Sequence, residues 1–427
     1  MIKNSNNVIG EYLPVTINIH GNIKSVYKSD EDIKMATIID YPKCSYGFHH
    51  YIHSLRKDVE ILKQFENKKK VYLCVNPFEI DIDNYDKTIN KETNKFLNIK
   101  GDIPKIISLD FYKLWELYFM FDISDITKES KNLIMTDDGS IMQSLIHFRQ
   151  TYSKEYKNDT CHFLKITQET SVTNVKINDL DKDFQNYYEK NKKISVLTDT
   201  KLKDKYDLII SGGNILLNEN TFVYEQDYFK LLLIQIITGI KNQKKNGNLV
   251  VKVFETYTQV MAKIFALLIS SYEKVFIVKP FTSKPDMSER FIVCQNFNIS
   301  DKEITKLENI LKTLNLNPKL KIIDIFSSYE IEKDLHMRII ELNTVLSNNY
   351  FMATGKIVNF VNSQNYYGDV YQKYRDDQIN ANKYWTDTFL VESKNYKENK
   401  KKIMENSILS NKMIMDKMIK LSKNISD

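Results

Sequence analysis

The stretch from Gly247 to Phe297 constrains this chain more than any other part of it. GNLVVKVFE opens it as a β-branched apolar run with Lys252 in its middle. TYTQVMAKIFALLISSY follows with helical spacing, then KVFIVKP, the polar loop FTSKPDM and the run SERFIVCQNF. Strand, helix, strand, loop, strand is the closing portion of an α/β sheet. Three charges stand where such a sheet should carry none: Lys252 inside one strand, Lys279 at the end of the next, and Glu289 at the start of the third. An ionised group on a buried strand is costly unless paired. These three therefore belong either to a structural ion network or to a site.

VVKVF followed by KPFTSKPDMSERFIVC resembles the back half of the FtsJ-type RNA ribose 2′-O-methyltransferases, a family that includes the mRNA cap methyltransferases. It is especially similar to the members encoded by large nucleocytoplasmic DNA viruses. The resemblance implies an α/β, Rossmann-like methyltransferase fold: a seven-stranded, mostly parallel sheet with helices on both faces. It also implies S-adenosyl-L-methionine as cofactor, RNA (capped mRNA in particular) as substrate, and a Lys–Asp–Lys–Glu tetrad. Lys252 corresponds to the central lysine and Glu289 to the last member. SLDFYKLWELYFMFD resembles the family helix S-x-x-x-Y/F-K-L-x-E, which makes Lys113 the first lysine. Read on its own, a lysine among aromatics on an amphipathic helix snorkels to water. By the same resemblance Lys252 accepts the hydroxyl proton, kept neutral by the second lysine beside it. Lys279 of the KP motif and Lys284 are expected to meet the RNA.

Two positions depart from the family pattern. NLIMTDDGSIMQSLIHF reads as strand, turn, helix, the first βα unit of a doubly wound sheet, where a cofactor lies over the turn. The family turn, an acidic residue followed by G/A-P-G-G/A-F, is here Thr136, Asp137, Asp138, Gly139, Ser140 and Ile141, with only Gly139 at a family glycine. Carboxylates at this place favour the cofactor's ammonium and repel its carboxylate. ISVLTD is a further strand ending on Asp199, an adenosine contact by resemblance and a turn former by residue type. In KYDLIISGGN the tetrad's acid is replaced by Gly212, forty residues before Lys252 as the family spacing requires. A missing acid leaves Lys252 less well oriented, and Asp138 is the candidate substitute. Two classes of function follow: an RNA 2′-O-methyltransferase, or a catalytically lapsed relative that binds RNA or braces an active partner.

The chain divides into an N-terminal α/β extension over 1–102, the methyltransferase-like unit over 103–300, a helical and mixed region over 301–390, and a basic amphipathic tail over 391–427. EYLPVTINIHG and IKSVYK in the extension read as short strands. YGFHHYIHSLRKDVEILKQFE places Phe48, Ile52, Leu55, Val59 and Leu62 on one helical face. His49 and His53 stand one turn apart, a metal-ligand spacing. With no carboxylate nearby in sequence they read as helix-surface histidines, and no metal is expected. Tyr366, Tyr367, Tyr371, Tyr374 and Tyr384 interleave with Lys and Arg, as base-stacking surfaces do and as ordinary packing also does. KKNGN reads as a basic turn. The tail suits a protein partner, an acidic polymer or a frayed end.

Charge adds little, since 61 Lys+Arg against 55 Asp+Glu leave only +6, too mild to announce a nucleic-acid binder by itself. Four separated cysteines fit free thiols in a reducing compartment. No apolar run is long enough to span a bilayer and the start lacks a signal-peptide core. A cytoplasmic location in an infected host cell, or a place in a virion, is expected, and neither a membrane location nor secretion.

Overall fold

The computed structural model describes residues 15–19, 26, 33–37, 46–58, 76, 78, 89–99, 106, 108–136, 139–165, 192–194, 202, 204–212, 223–317, 319–364, 367–403 and 405. Eight strands form one sheet in the order β1 (Val15–Asn18), β8 (Tyr272–Lys279), β9 (Arg290–Phe297), β7 (Gln243–Val253), β6 (Tyr206–Ser211), β3 (Lys131–Met135), β4 (Thr160–Lys165) and β5 (Lys192–Ile194). Strands β3 to β7 run parallel to their neighbours, and β9 lies antiparallel to both β7 and β8. This is the Rossmann-like methyltransferase arrangement expected from the sequence, with one strand more. The extra strand, β1, comes from the N-terminal extension and pairs antiparallel with β8. From the same extension β2 (Ile33–Ala36) pairs with β10 (Lys321–Ile325) in a second, two-stranded sheet.

The described helices are α1 (Tyr46–Asp58), α2 (Ile89–Phe96), α3 (Asp110–Met120), α4 (Ser140–Tyr152), α5 (Tyr224–Asn242), α6 (Gln259–Ser271), α7 (Asp301–Leu316), α8 (Lys333–Asn362) and α9 (Gly368–Phe389). Strand side chains alternate between the two faces of the sheet. Val251 and Val253 pack with α5 and α6 on one face, whereas Val250, Leu208 and Ile210 pack with α3 and α4 on the other. Lys252 shares the parity of Val250 and so points to the α3 side.

The segment read as an amphipathic helix is instead buried on every side, because α9 covers the flank expected to meet water. Trp385 meets Tyr112 edge-on with ring centroids 5.4 Å apart, and Phe389 meets Phe119 at 5.4 Å. The expected turn KKNGN lies within β7, where the chain absorbs three extra residues by a register slip opposite Tyr206 and Leu208 and a left-handed Asn246 (φ 61°). Of the clustered tyrosines, Tyr374 packs on Phe360 at 5.6 Å and Tyr384 on Phe281 at 6.0 Å, while Tyr367 is 77% exposed. Tyr366 lies outside the described residues. Among those described, no helix is long and apolar enough to cross a membrane.

Candidate active site

Helix α3 runs along one face of the sheet, with its first turn beside Lys252 at the carboxyl end of β7 and the residues after its end beside Asn248. It carries Asp110, Lys113 and Glu116, a stripe at spacing i, i+3, i+6 along one face of the helix. Lys252 is the penultimate residue of β7, and Glu289 immediately precedes β9, where Arg290 lies opposite Val253. These elements bring four charges into a closed ring. Asp110 Oδ1 lies 2.8 Å from Lys113 Nζ, and Asp110 Oδ2 lies 2.9 Å from Lys252 Nζ. Glu289 Oε2 is 3.0 Å from Lys252 Nζ, and Glu289 Oε1 is 2.5 Å from Lys113 Nζ. The three residues expected to meet, Lys113, Lys252 and Glu289, do meet.

Asp110 is the member that sequence reasoning missed. An acidic residue in the first turn of a helix is ordinary, because it complements the helix dipole. The signal that it does more is its spacing of three residues from a lysine that belongs to a buried site.

All four groups are buried, so their ionisation is a balance. Burial alone would raise the Asp110 carboxyl, but the Lys113 and Lys252 ammonium groups outweigh it and hold that carboxyl well below the usual range. Glu289 is lowered in the same way. Burial alone would lower Lys113 and Lys252, yet the two carboxylates outweigh it and raise both amines. This corrects the expectation that a neighbouring lysine keeps Lys252 neutral. With two carboxylates in the ring, the resting state is two ammonium groups and two carboxylates.

The loop from Pro280 to Glu289 that delivers Glu289 is gripped at both ends. Glu116, fully buried, accepts from the backbone N–H of Phe281 (2.6 Å) and Thr282 (3.1 Å), from Thr282 Oγ1 (2.8 Å) and from Trp385 Nε1 (3.0 Å). Burial pushes the Glu116 carboxyl up to about 7 against these donors. At the other end Lys279 donates to the carbonyls of Met287 (2.7 Å) and Glu289 (3.0 Å) and to Ser283 Oγ (3.3 Å). Lys279, read from sequence as an RNA contact, thus turns inward and braces the loop. Burial pulls its amine down to about 7. Lys284 sits part-exposed in the same loop.

Strand β6 ends beside the ring without a side chain to offer it. Ser211 pairs with Val251, so the next residue, Gly212, lies alongside Lys252. A Cβ on Gly212 would come within 2.2 Å of Ile141 Cδ1, which fills the space.

At the cofactor turn, Gly139 is the N-cap of α4, and Ser140, the first residue of that helix, is buried. The amides of a helix start are where an anion such as the carboxylate end of S-adenosylmethionine would be met. Asp137, Asp138 and Asp199 lie outside the described residues.

A second cluster corrects the reading of the histidines. His49 and His53 are each 1% exposed, because Ile52 on α1 packs against Tyr257 and Tyr350. The carboxylate absent from the local sequence arrives from Glu255, two residues past β7, and the ligand atoms of the three residues lie within 4.8 Å of one another. A guanidinium already serves that carboxylate: Arg56 Nη2 is 2.7 Å from Glu255 Oε1, and Arg56 Nη1 is 3.0 Å from His53 Nδ1. Its positive charge opposes a divalent ion at the same place. Burial alone would raise Glu255, but His53 and Arg56 outweigh it and hold the carboxyl at about 2. Such a depressed carboxyl stabilises the fold above its ordinary value of 4.5, and that contribution is lost as pH falls toward 2. Glu255→Gln is expected to lower stability by roughly 3 kcal/mol at neutral pH and to flatten the acid loss. Denaturant midpoints between neutral and acid pH check it.

Comparison with known proteins finds similarity to RNA methyltransferases over part of the chain. Residues 149–297 match the model of the FtsJ-like methyltransferase family. The cap-specific mRNA (nucleoside-2′-O-)-methyltransferase 1 of Dictyostelium discoideum is 29% identical over 140 residues, 33% of this chain and 18% of that protein. An inactive cap-specific mRNA (nucleoside-2′-O-)-methyltransferase 1B of Caenorhabditis briggsae is 26% identical over 164 residues, 36% of this chain and 19% of that one. The ribosomal RNA large subunit methyltransferase E of Methanococcus maripaludis is 30% identical over 122 residues, 29% of this chain and 46% of that enzyme. The chain thus spans under a fifth of the length of those two cap-methyltransferase relatives. Helix α3, with Asp110 and Lys113, precedes the segment matched by the family model.

Proposed function

We propose that this chain is an S-adenosylmethionine-dependent RNA ribose 2′-O-methyltransferase of FtsJ type acting on capped mRNA, with Lys252 as the amine at the reacting hydroxyl. The observation that carries the reading is the ring of Asp110, Lys113, Lys252 and Glu289, with contacts of 2.5 to 3.0 Å. Four charges converge from α3, β7 and the start of β9 at the carboxyl ends of the central strands. That is where open α/β sheets bind their ligands. The cap-specific relatives support capped RNA as the substrate class.

When bound against Gly139 and Ser140, S-adenosylmethionine supplies a methyl group carried on a sulfonium. The protein's part is to hold the ribose hydroxyl at Lys252 Nζ and to remove its proton as the new O–CH3 bond forms. Asp110 and Glu289 fix the direction of Nζ. Because both carboxylates favour the ammonium, Lys252 must first release its own proton to solvent. The rate is therefore expected to climb from neutral pH to beyond the ~10.4 of an ordinary lysine. A plateau already reached at pH ~8 would remove Lys252 as the acceptor.

Calorimetry with S-adenosylmethionine, followed by transfer of labelled methyl to capped RNA, tests the whole reading. Binding with incorporation at the 2′ oxygen supports it. No binding at millimolar ligand would remove it and leave an RNA-binding relative without turnover. That second reading is favoured by Gly212 in place of the expected acid and by the inactive relative. Such a binder would hold RNA with an affinity that falls steeply as salt rises.

A further inference from the structure

We infer that Asp110 supplies, from helix α3, the carboxylate that the end of strand β6 cannot, and that it acts as the positioning residue for Lys252. The inference rests on the methyltransferase reading for its consequence in rate. Its geometry stands independently of that reading.

Two ammonium groups side by side in a buried site repel one another, and one carboxylate between them leaves an uncompensated positive charge. Glu289 is the first carboxylate. The second could come from the neighbouring strand end, but Gly212 stands there and Ile141 Cδ1 occupies the place of its Cβ at 2.2 Å. Asp110 closes the ring from the opposite wall, giving one oxygen to each lysine. It is more than a helix-surface i,i+3 pair. Its side chain is 9% exposed and reaches a lysine 142 residues away. Its place is fixed as well: Ser108 Oγ accepts from the Asp110 N–H at 3.3 Å and donates to Ser140 Oγ at 2.8 Å. The start of α3 is thereby tied to the start of α4. One consequence is mechanical. An acid at the end of β6 would be anchored in the sheet, whereas Asp110 and Lys113 occupy one helical turn and move together with α3.

The test moves the acid. Asp110→Asn keeps the shape and removes the charge. Gly212→Asp with Ile141→Ala, which clears the space, restores a carboxylate on the β6 side. Each is made in the full chain and checked by its melting curve. Methyl transfer to capped RNA is measured against pH, and the Lys252 amine is titrated directly by NMR of selectively labelled lysine. Loss of a carboxylate makes the ammonium less favourable. Asp110→Asn should therefore release the Lys252 proton at lower pH, move the rising limb of the rate the same way, and, because Nζ is no longer aimed, cost about 10²-fold in the limiting rate reached at high pH. Adding Gly212→Asp and Ile141→Ala should return the titration upward and recover about tenfold or more. An Asp110→Asn protein whose Lys252 titrates unchanged would overturn the inference. So would a folded triple variant in which neither titration nor rate recovers. If wild type transfers no methyl group while the Lys252 titration follows the carboxylate, the methyltransferase reading fails and the role of Asp110 stands.

Discussion

Replacing Lys252 by methionine is expected to lower methyl transfer by about 10²–10⁴-fold while S-adenosylmethionine binding stays within a few-fold of wild type. Methionine keeps the length and the apolar stem but cannot take a proton. The position faces α3 beside Val250, so the stem packs as before. Asp110 and Glu289 are then left to share Lys113, and two carboxylates with a single cation raise each other's affinity for a proton. One of them then takes up a proton more readily than in the wild type, which limits the structural cost to roughly 3 kcal/mol in place of the full penalty for an unpaired buried charge. A melting curve separates that cost from the catalytic one. Lys252→Arg is the companion variant: it retains the charge and the ring but cannot become neutral, so it should fold well and be equally inactive. If either variant turns over within about tenfold of wild type, Lys252 is not the group at the hydroxyl.

How much of this centre the sequence discloses depends on distance along the chain. Lys252 and Glu289 stand out because charge is rare inside strands that are otherwise apolar, and the sheet that carries them follows from alternating periodicities. Lys113 is legible through its motif. Asp110 is not, because its meaning depends on Lys252, 142 residues away, and nothing local sets it apart from any acidic helix start. His53 fails for the same reason, since its carboxylate lies 202 residues downstream. Lys279 fails differently. Its burial at a strand end is legible, but whether its ammonium turns toward solvent or back onto the loop is decided by the carbonyls of Met287 and Glu289. Helix α3 reads as half-exposed because its own sequence says nothing of the later helix that lies on it.

That later helix also sets the acid side of the pH dependence. Trp385 on α9 is fully buried, packs on Tyr112 and Phe389, and donates its indole N–H to Glu116. Trp385→Ala is expected to cost about 3–5 kcal/mol, which makes it among the most destabilising single changes in the chain. The more informative variant is Trp385→Phe, which keeps most of the packing and removes one donor from a carboxylate. Glu116 sits at about 7, raised by burial and restrained by its donors. Losing the indole N–H lets it rise further. A protonated Glu116 has one fewer acceptor for the amides of Phe281 and Thr282, so the loop that carries Glu289 to the ring is gripped less firmly. In wild type this weakening sets in as pH falls through about 7, and in Trp385→Phe it should begin at higher pH. The acid limb of the rate profile therefore moves up by about one unit, while the alkaline limb set by Lys252 stays where it was. An unmoved acid limb in a variant with a lowered melting point would reduce Trp385 to packing alone and leave the hold on the loop to the backbone of α3.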